Sequence, residues 1–409
     1  MAFLKQTIKT VPIEGETVLL RTDFNVPQDA SGAISDDFRI RASLPTIRRL
    51  IKDGCKVVII SHMGRPEGRA DTRFSLEPVA QRLANLLEAP VRFVDQTIGD
   101  RVKMAVKRAP KSCVIVLENL RFHPGEEAND MNFARQIAND TGARYFVQDG
   151  FGVVHRAHAS TAAITQFIPS VGGLLLEREY DEITRAIKTP KRPLVAVIGG
   201  AKVSDKIEII KAFIDKADQI IIGGAMANTF LAYKGVSVGA SMHESDKRSV
   251  LDEIYEQAKE KVGLDSVDDF LQLPTDVAVA PVAEDGQIRQ VVSVESVKEA
   301  DMALDIGTES ITRMIGSLRD AGTVIWNGTL GYASIASFAH GSARLALELA
   351  THPETVSIIG GGDTADFVRH WDAKNGESFT HVSTGGGASL ELMAGKNLPG
   401  IESLLDARR

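Results

Sequence analysis

Cysteine is nearly absent: Cys55 and Cys113 are the only two in 409 residues. A disulfide scaffold is thereby excluded, and no Cys/His spacing resembles a zinc site. A reducing cytoplasm is the simplest setting for such a chain. No apolar run approaches the roughly 20 residues that a membrane helix needs. The N-terminus, MAFLKQTIKT, has no long apolar core and no small-residue cleavage site, so no secretory signal peptide is expected. Aromatics are scarce at 6%, yet 44% hydrophobic and 25% charged residues suit a folded protein rather than a disordered one. Positive charge is in deficit, with a formal net charge of −7. That balance disfavours a general binder of nucleic acid or anionic membrane. It leaves a small anionic ligand open, because a site responds to local charge. Two nucleotide signatures are also missing, GxxxxGK[ST] and a well-placed GxGxxG. Their absence weakens the P-loop ATPase and NAD dehydrogenase readings.

Glycine, by contrast, is plentiful and clustered, with 35 residues. Clusters mark tight turns or backbone brought close to a ligand. They punctuate a regular rhythm of short β-branched runs, turns and helical patterns. Thr17–Leu20, Val57–Ile60, Val114–Leu117 and Tyr145–Val147 each lead into a polar or glycine-rich turn. The rhythm restarts with Leu194–Ile198, Gln219–Ile222, Thr323–Trp326, Val356–Ile359 and Thr380–Ser383. Short buried runs separated by helix-length segments predict α/β architecture with parallel sheets in two halves. Between the halves, Leu174, Leu175, Leu176, Tyr180, Ile183 and Ile187 have helical spacing, and Pro190 and Pro193 end the segment. One helix is therefore expected to join the halves, with a boundary near 170–192. Parallel α/β sheets bind ligands outside the carboxyl ends of their strands, where these turns lie.

The turns of the first half carry Arg21, Arg39, Arg65, Arg121 and Arg156, with His62, His123, His155 and His158 nearby in sequence. A guanidinium is a planar fork that matches carboxylate and phosphate oxygens. A lone surface arginine is ordinarily a solvated charge. Five placed after successive predicted strands point instead to a small phosphorylated acid. Asp23 and Asn25 are placed to bond its hydroxyls. For His123, His155 and His158 the structural reading stands ahead.

The second half reads as a nucleotide site. Gly199-Gly200-Ala201-Lys202-Val203-Ser204-Asp205-Lys206 reads as a glycine turn and the start of a helix, with Lys202 and Lys206 four apart on one face. Backbone N–H groups and the helix dipole favour phosphate there. Gly360, Gly361 and Gly362 permit close backbone approach, and Asp363 suits Mg²⁺. The plainer alternative for Asp363-Thr364 is a helix N-cap. Ser383–Ser389, with Gly385 and Gly386, is a second anion candidate.

At these residues the chain resembles the phosphoglycerate kinases almost end to end. The shared stretches include LLRTDFNVP (19–27), SHMGRP (61–66), LENLRFHPGEE (117–127) and DGFGVVHRAHAS (149–160). They continue with RPLVAVIGGAKVSDKI (192–207), IIGGGDTADFV (358–368) and HVSTGGGASLEL (381–392). The resemblance implies two doubly wound parallel-sheet lobes joined by a long helix, with a cleft between them. It places an acid-substrate lobe at 1–172, completed by the tail 393–409, a connecting hinge at 173–192 and a nucleotide lobe at 193–392. The implied reaction is Mg²⁺-dependent phosphoryl transfer from 1,3-bisphosphoglycerate to ADP, giving 3-phosphoglycerate and ATP, by a cytoplasmic monomer of glycolysis.

Carried over by motif, Asp23, Asn25, Arg39, His62, Arg65, Arg121 and Arg156 would meet the acid. Lys202, Lys206, Asn327, Gly360, Gly361, Gly362 and Thr364 would meet the nucleotide, and Asp363 would hold Mg²⁺. Arg39, Lys202, Gly385 and Gly386 would surround the phosphoryl group in flight. One departure stands out. The usual WNGPMGVFE reads Trp326-Asn327-Gly328-Thr329-Leu330-Gly331-Tyr332-Ala333-Ser334 in this chain. Ser334 replaces the glutamate that accepts hydrogen bonds from the ribose hydroxyls, so weaker or less selective nucleotide binding is expected. Ser334→Glu should tighten ADP in a calorimetric titration, and an unchanged affinity would sink that expectation. Smaller departures at Gln148, Gly150, Ala225 and Thr308 receive no functional effect. The competing readings are a catalytically weak relative that binds ligands and, on fold alone, a dinucleotide oxidoreductase.

Overall fold

The computed structural model describes residues 3–407. Residues 1, 2, 408 and 409 of the lobe ranges above lie outside the described residues. The chain falls into two compact units, one of residues 3–181 with 397–407 and one of Glu182–Lys396. The helix Leu174–Lys188 runs across the division.

In the first unit, β1 (Thr17–Arg21), β2 (Lys56–Ile60), β3 (Val91–Val94), β4 (Val114–Leu117), β5 (Tyr145–Gln148) and β6 (Ser170–Gly172) form one sheet in the order β3-β4-β2-β1-β5-β6. Every pairing is parallel. Successive strand residues point to opposite faces. Val18, Leu20, Val57 and Ile59 accordingly enter one core, and Leu19, Val58 and Ile60 enter the other. Helices cover both faces, which is why these strands read as unbroken apolar runs. The chain winds outward from β1 in both directions, so the loops after β1 and β5 diverge and leave a crevice at that switch point. Near the C-terminus, Leu405 N–H donates to Ser170 O at 3.0 Å, and Gly400 N–H donates to Val154 O at 2.8 Å. These bonds tie the last described residues to the first unit.

The second unit holds β7 (Leu194–Ile198), β8 (Gln219–Ile222), β9 (Leu271–Gln272), β10 (Asp276–Ala280), β11 (Gln290–Ser293), β12 (Met302–Ile306), β13 (Thr323–Asn327), β14 (Val356–Gly360) and β15 (His381–Val382). Its main sheet is parallel in the order β15-β14-β13-β7-β8-β9. The switch point lies between β7 and β13. There the Gly199 and Gly328 backbones cross so closely that a Cβ on Gly328 would sit 2.1 Å from Gly199 O. Gly328 also has φ +96°, so both position and conformation demand glycine. An antiparallel sheet, β11-β10-β12, is added beside this layer. The sequence reading did not contain it, nor β3, β6 and β9. β3 alternates between half-buried and exposed residues, and β6 and β9 are three and two residues long.

A buried carboxyl fixes the start of the long helix. Asp149, just past β5, accepts from the Thr46 hydroxyl at 2.9 Å and from Leu175 N–H at 3.0 Å through Oδ1. Its Oδ2 is buried without a hydrogen-bond partner among the described residues. Burial pushes this carboxyl up to about 7, against the pull of those donors. The unfolded chain loses the same proton near 3.8. The folded state therefore binds more protons between these values, and stability declines as pH rises through that window. Asp149→Asn removes the titration. In urea unfolding, the variant should gain on the wild type between pH 5 and pH 8, by on the order of 1–3 kcal/mol. An equal difference at both pH values would refute the assignment.

Candidate functional site

In the first unit, the loops after β1, β2, β4 and β5 bring a cationic group together. Arg39, on the first turn of the helix Phe38–Lys52, donates from Nη1 to Asp23 Oδ2 at 2.9 Å and to Asn25 O at 3.3 Å. Asn25 Oδ1 accepts from Gly64 N–H at 2.8 Å, which ties the β1 loop to the β2 loop. Arg121 donates from Nη1 to Gly64 O at 2.7 Å and pairs through Nε with Glu127 at 3.0 Å. Asp23, Asn25, Arg39, His62 and Arg121 thus form one connected group. Arg65 follows Gly64 on the same turn and is exposed. Arg156, half-buried, donates from Nε to His155 Nε2 at 3.1 Å, and its charge is near enough to help depress the basicity of Arg121.

His62 is buried, with Nδ1 3.4 Å from Arg21 and 3.9 Å from Asp23. Burial holds its pKa well below 6.5, and the Arg21, Arg121 and Arg39 charges add to that effect. The ring is neutral at pH 7, so the positive charge of the group resides on guanidinium forks. His123 lies flat on Phe133, with ring centroids 4.0 Å apart, in keeping with the structural reading.

Arg21 departs from the sequence reading of five arginines at ligand-facing turns. It is the last residue of β1, only 1% exposed, and its Nε donates to Ser160 Oγ at 2.8 Å. Its counter-ion is Glu126, fully buried, with Oε1 3.9 Å away. Glu126 also accepts from the Ser160 hydroxyl at 2.6 Å and from Ser160 N–H at 3.1 Å. Burial pushes Glu126 above the usual carboxylate range, while Arg21 pulls it back. This pair lies beneath the cationic group and is structural. No local signal joins residues so far apart in the chain.

In the second unit, β7, β13 and β14 converge on a polar turn cluster. Lys206 donates from Nζ to Asn327 O at 2.9 Å and to Asn327 Oδ1 at 2.5 Å. Burial pulls its ammonium down to about 8, opposed by Asp363 and Asp205. The Asn327 amide nitrogen is buried without a partner among the described residues. Gly360 pairs with Asn327 across the sheet, and a Cβ on Gly360 or Gly361 would crowd that nitrogen at 3.1 or 3.2 Å. A buried donor facing side-chain-free backbone is suited to a ligand oxygen.

Two local expectations are corrected. The helix after β7 begins at Ile207, so Lys202 and Lys206 precede it and do not share a helix face. Lys202 is exposed. The extended glycine turn and the crossing at Gly328 consume the residues that the helix would have used. At the other turn, Gly361 rather than Asp363 or Thr364 occupies the N-cap of the helix Gly362–Trp371. Thr364 instead accepts from Gly328 N–H at 2.7 Å, locking the two turns together, and leaves Asp363 exposed on the first helical turn. At the third turn, Gly385 N–H donates to Ser383 Oγ at 3.0 Å, and Gly386, with φ +49°, caps the helix Gly387–Met393.

Beside this cluster lies a cavity of about 850 Å³ lined chiefly by small and apolar residues. Ala201, Ala225, Met302 and Leu304 contribute to it, together with the 329–336 loop that carries Ser334. Its size and lining suit a nucleoside, with few polar groups to fix orientation. Among the described residues no cluster of three or more His, Cys, Asp or Glu side chains could hold a metal unaided. No helix among them is long and apolar enough to cross a membrane.

A model of the family described as phosphoglycerate kinase matches residues 8–396. The phosphoglycerate kinase of Pelotomaculum thermopropionicum is 44% identical over 402 residues, covering 98% of this chain and 99% of that one. That of Thermosynechococcus vestitus is 46% identical over 403 residues, with 98% of each chain covered. Among solved structures, the phosphoglycerate kinase of Coxiella burnetii is 35% identical with a TM-score of 0.83, covering 98% of both chains. That of Pyrococcus horikoshii is 28% identical with a TM-score of 0.84 and the same coverage.

Proposed function

Because the chain belongs to the phosphoglycerate kinase family and so to the phosphotransferases, we propose that it transfers a phosphoryl group reversibly between 1,3-bisphosphoglycerate and ADP. The observation that carries the reading is a pair of complementary anion sites. A guanidinium group built on Arg39 and Arg121 lies on one unit, and a glycine-lined turn cluster with Lys206 and Asn327 lies on the other.

In this proposal the acid phosphate meets Arg65, Arg121 and Arg156, while Asp23, Asn25 and His62 fix its hydroxyl and carboxyl end. The diphosphate meets Lys206, the Asn327 amide and the turn of Gly360, Gly361 and Gly362. The bond from phosphorus to the acyl oxygen breaks as a bond to the terminal ADP oxygen forms. No enzyme nucleophile takes part. What the protein supplies is in-line positioning and neutralisation of the equatorial oxygens, by Arg39, Lys202 and the Gly385–Gly386 backbone. Asp363, a single exposed carboxylate on the phosphate turn, fits Mg²⁺, which typically takes one or two carboxylates and completes its shell from phosphate and water. Held by Asp363, Mg²⁺ would supply positive charge against the phosphates. Since the two anion sites belong to separate compact units, transfer requires closure of one unit on the other about the 173–192 hinge, which also excludes water. The active species is proposed to be a cytoplasmic monomer.

The test is a coupled assay with 3-phosphoglycerate, ATP and Mg²⁺, together with X-ray scattering of the ternary complex. Turnover and a smaller radius of gyration with both ligands are expected. Folded protein without turnover would favour a ligand-binding relative, and binding of NAD without ADP would favour an oxidoreductase.

A further inference from the structure

The cavity of the second unit has two unlike walls. One is the 329–336 loop, where Ala333 and Ser334 leave a short, uncharged surface. The other is one face of the helix Gly362–Trp371. Asp363, Asp366, Phe367, His370 and Trp371 all line the cavity. Their spacing of i, i+3, i+4, i+7 and i+8 makes one continuous stripe. It starts in the phosphate turn and leads away from it, along the course that a nucleoside attached to that diphosphate would take.

The acceptors on this wall can be counted. Asp366 spends one carboxylate oxygen on Arg369 and keeps the other, and Asp363 is the proposed cation ligand. Phe367 and Trp371 offer no acceptor. His370 Nδ1 lies 2.8 Å from the backbone carbonyl oxygen of Asp366. A carbonyl only accepts, so Nδ1 is the donor in this bond and Nε2 is the ring's acceptor nitrogen. The same bond lays the ring over the preceding turn, toward the helix N-terminus. His370 is seven residues beyond Asp363, about 10 Å of helical rise, and its ring leans back from there toward the phosphate turn.

A ribose carries two hydroxyl donors, and each gains from an acceptor on the cavity wall. Position 334 no longer supplies a carboxylate. We propose that His370 Nε2 accepts from a ribose hydroxyl of the bound nucleoside diphosphate, with Phe367 and Trp371 flanking the nucleoside. This rests on the nucleotide reading above. Sugar selectivity is then relocated from the loop wall to the helix wall rather than lost.

Calorimetric titration of the whole protein with ADP and with 2′,3′-dideoxy-ADP tests the proposal. The wild type should prefer ADP by about tenfold, the worth of one net hydrogen bond. His370→Phe keeps an aromatic ring at this exposed position and removes the acceptor. It should bring the ratio near one while leaving dideoxy-ADP affinity unchanged. His370→Gln, whose amide oxygen accepts, should restore most of the preference. An undiminished ratio in His370→Phe, or no preference in the wild type, would overturn the assignment and leave the nucleotide reading standing. Failure of both nucleotides to bind the wild type would remove the nucleotide reading itself.

Discussion

Arg39→Ala should lower kcat by about a thousandfold, or about 4 kcal/mol of transition-state stabilisation. Charge on the transferring phosphoryl group spreads over its equatorial oxygens, and an arginine aimed at them carries much of the rate in phosphoryl transfer. Stability should fall modestly, because Asp23 is only 7% exposed and loses its partner. The Arg39 side chain is 29% exposed, and its bond to Asp23 is a partly solvated pair of modest worth. Arg39→Lys keeps the charge and loses the fork, so it should recover only part of the rate. Steady-state kinetics beside a thermal melt separates the two effects. A kcat within tenfold of wild type in well-folded Arg39→Ala would remove Arg39 from the catalytic group.

Glu126→Ala should cost about 3–5 kcal/mol of stability, because it strands the Arg21 charge in the core. Arg21 is 1% exposed and the Glu126 side chain is fully buried, so water cannot replace the lost partner. Ser160 would lose the acceptor for both its hydroxyl and its N–H. The double variant Arg21→Met with Glu126→Leu should be closer to wild type than either single change, since a buried ion pair replaced by apolar groups is often near neutral. Urea unfolding midpoints of the four proteins form the cycle. A single-variant loss below about 1 kcal/mol would show that the charge reaches solvent.

On the proposed function, Arg39 serves transfer while Arg21 serves stability. Arg21 and Arg39 both follow or flank the first strand, and local sequence does not distinguish them. What distinguishes them is whether a carboxylate from another loop closes over the guanidinium. Glu126 does so for Arg21, 105 positions away. Asp23 binds Arg39 from one side only.

Much of the fold was legible locally. A parallel strand covered on both faces must be apolar throughout, so β1, β2, β4, β5, β7, β8, β13 and β14 each announce themselves as short β-branched runs. The glycine turns were legible for a related reason. Where backbone must approach backbone, as at Gly199 and Gly328, only glycine fits. Candidate residues such as Asp23, His62 and Asn327 were readable because they sit at or just past the end of a strand, whereas Arg39 and Arg156 lie farther along.

Tertiary structure alone decided the rest. It started the helix at Ile207, beyond Lys202 and Lys206, because the Gly199–Gly328 crossing takes the preceding residues. It put Thr364 on Gly328 instead of at a helix cap. It raised Asp149 to about 7 by burying it under Thr46 and the long helix. It set the stripe from Asp363 to Trp371 along a cavity, with Phe367 and Trp371 packed against the core as well. The physical reason is the same each time. Periodicity and turn chemistry act over a few residues, while burial, charge pairing and the filling of space depend on what the remainder of the chain brings alongside.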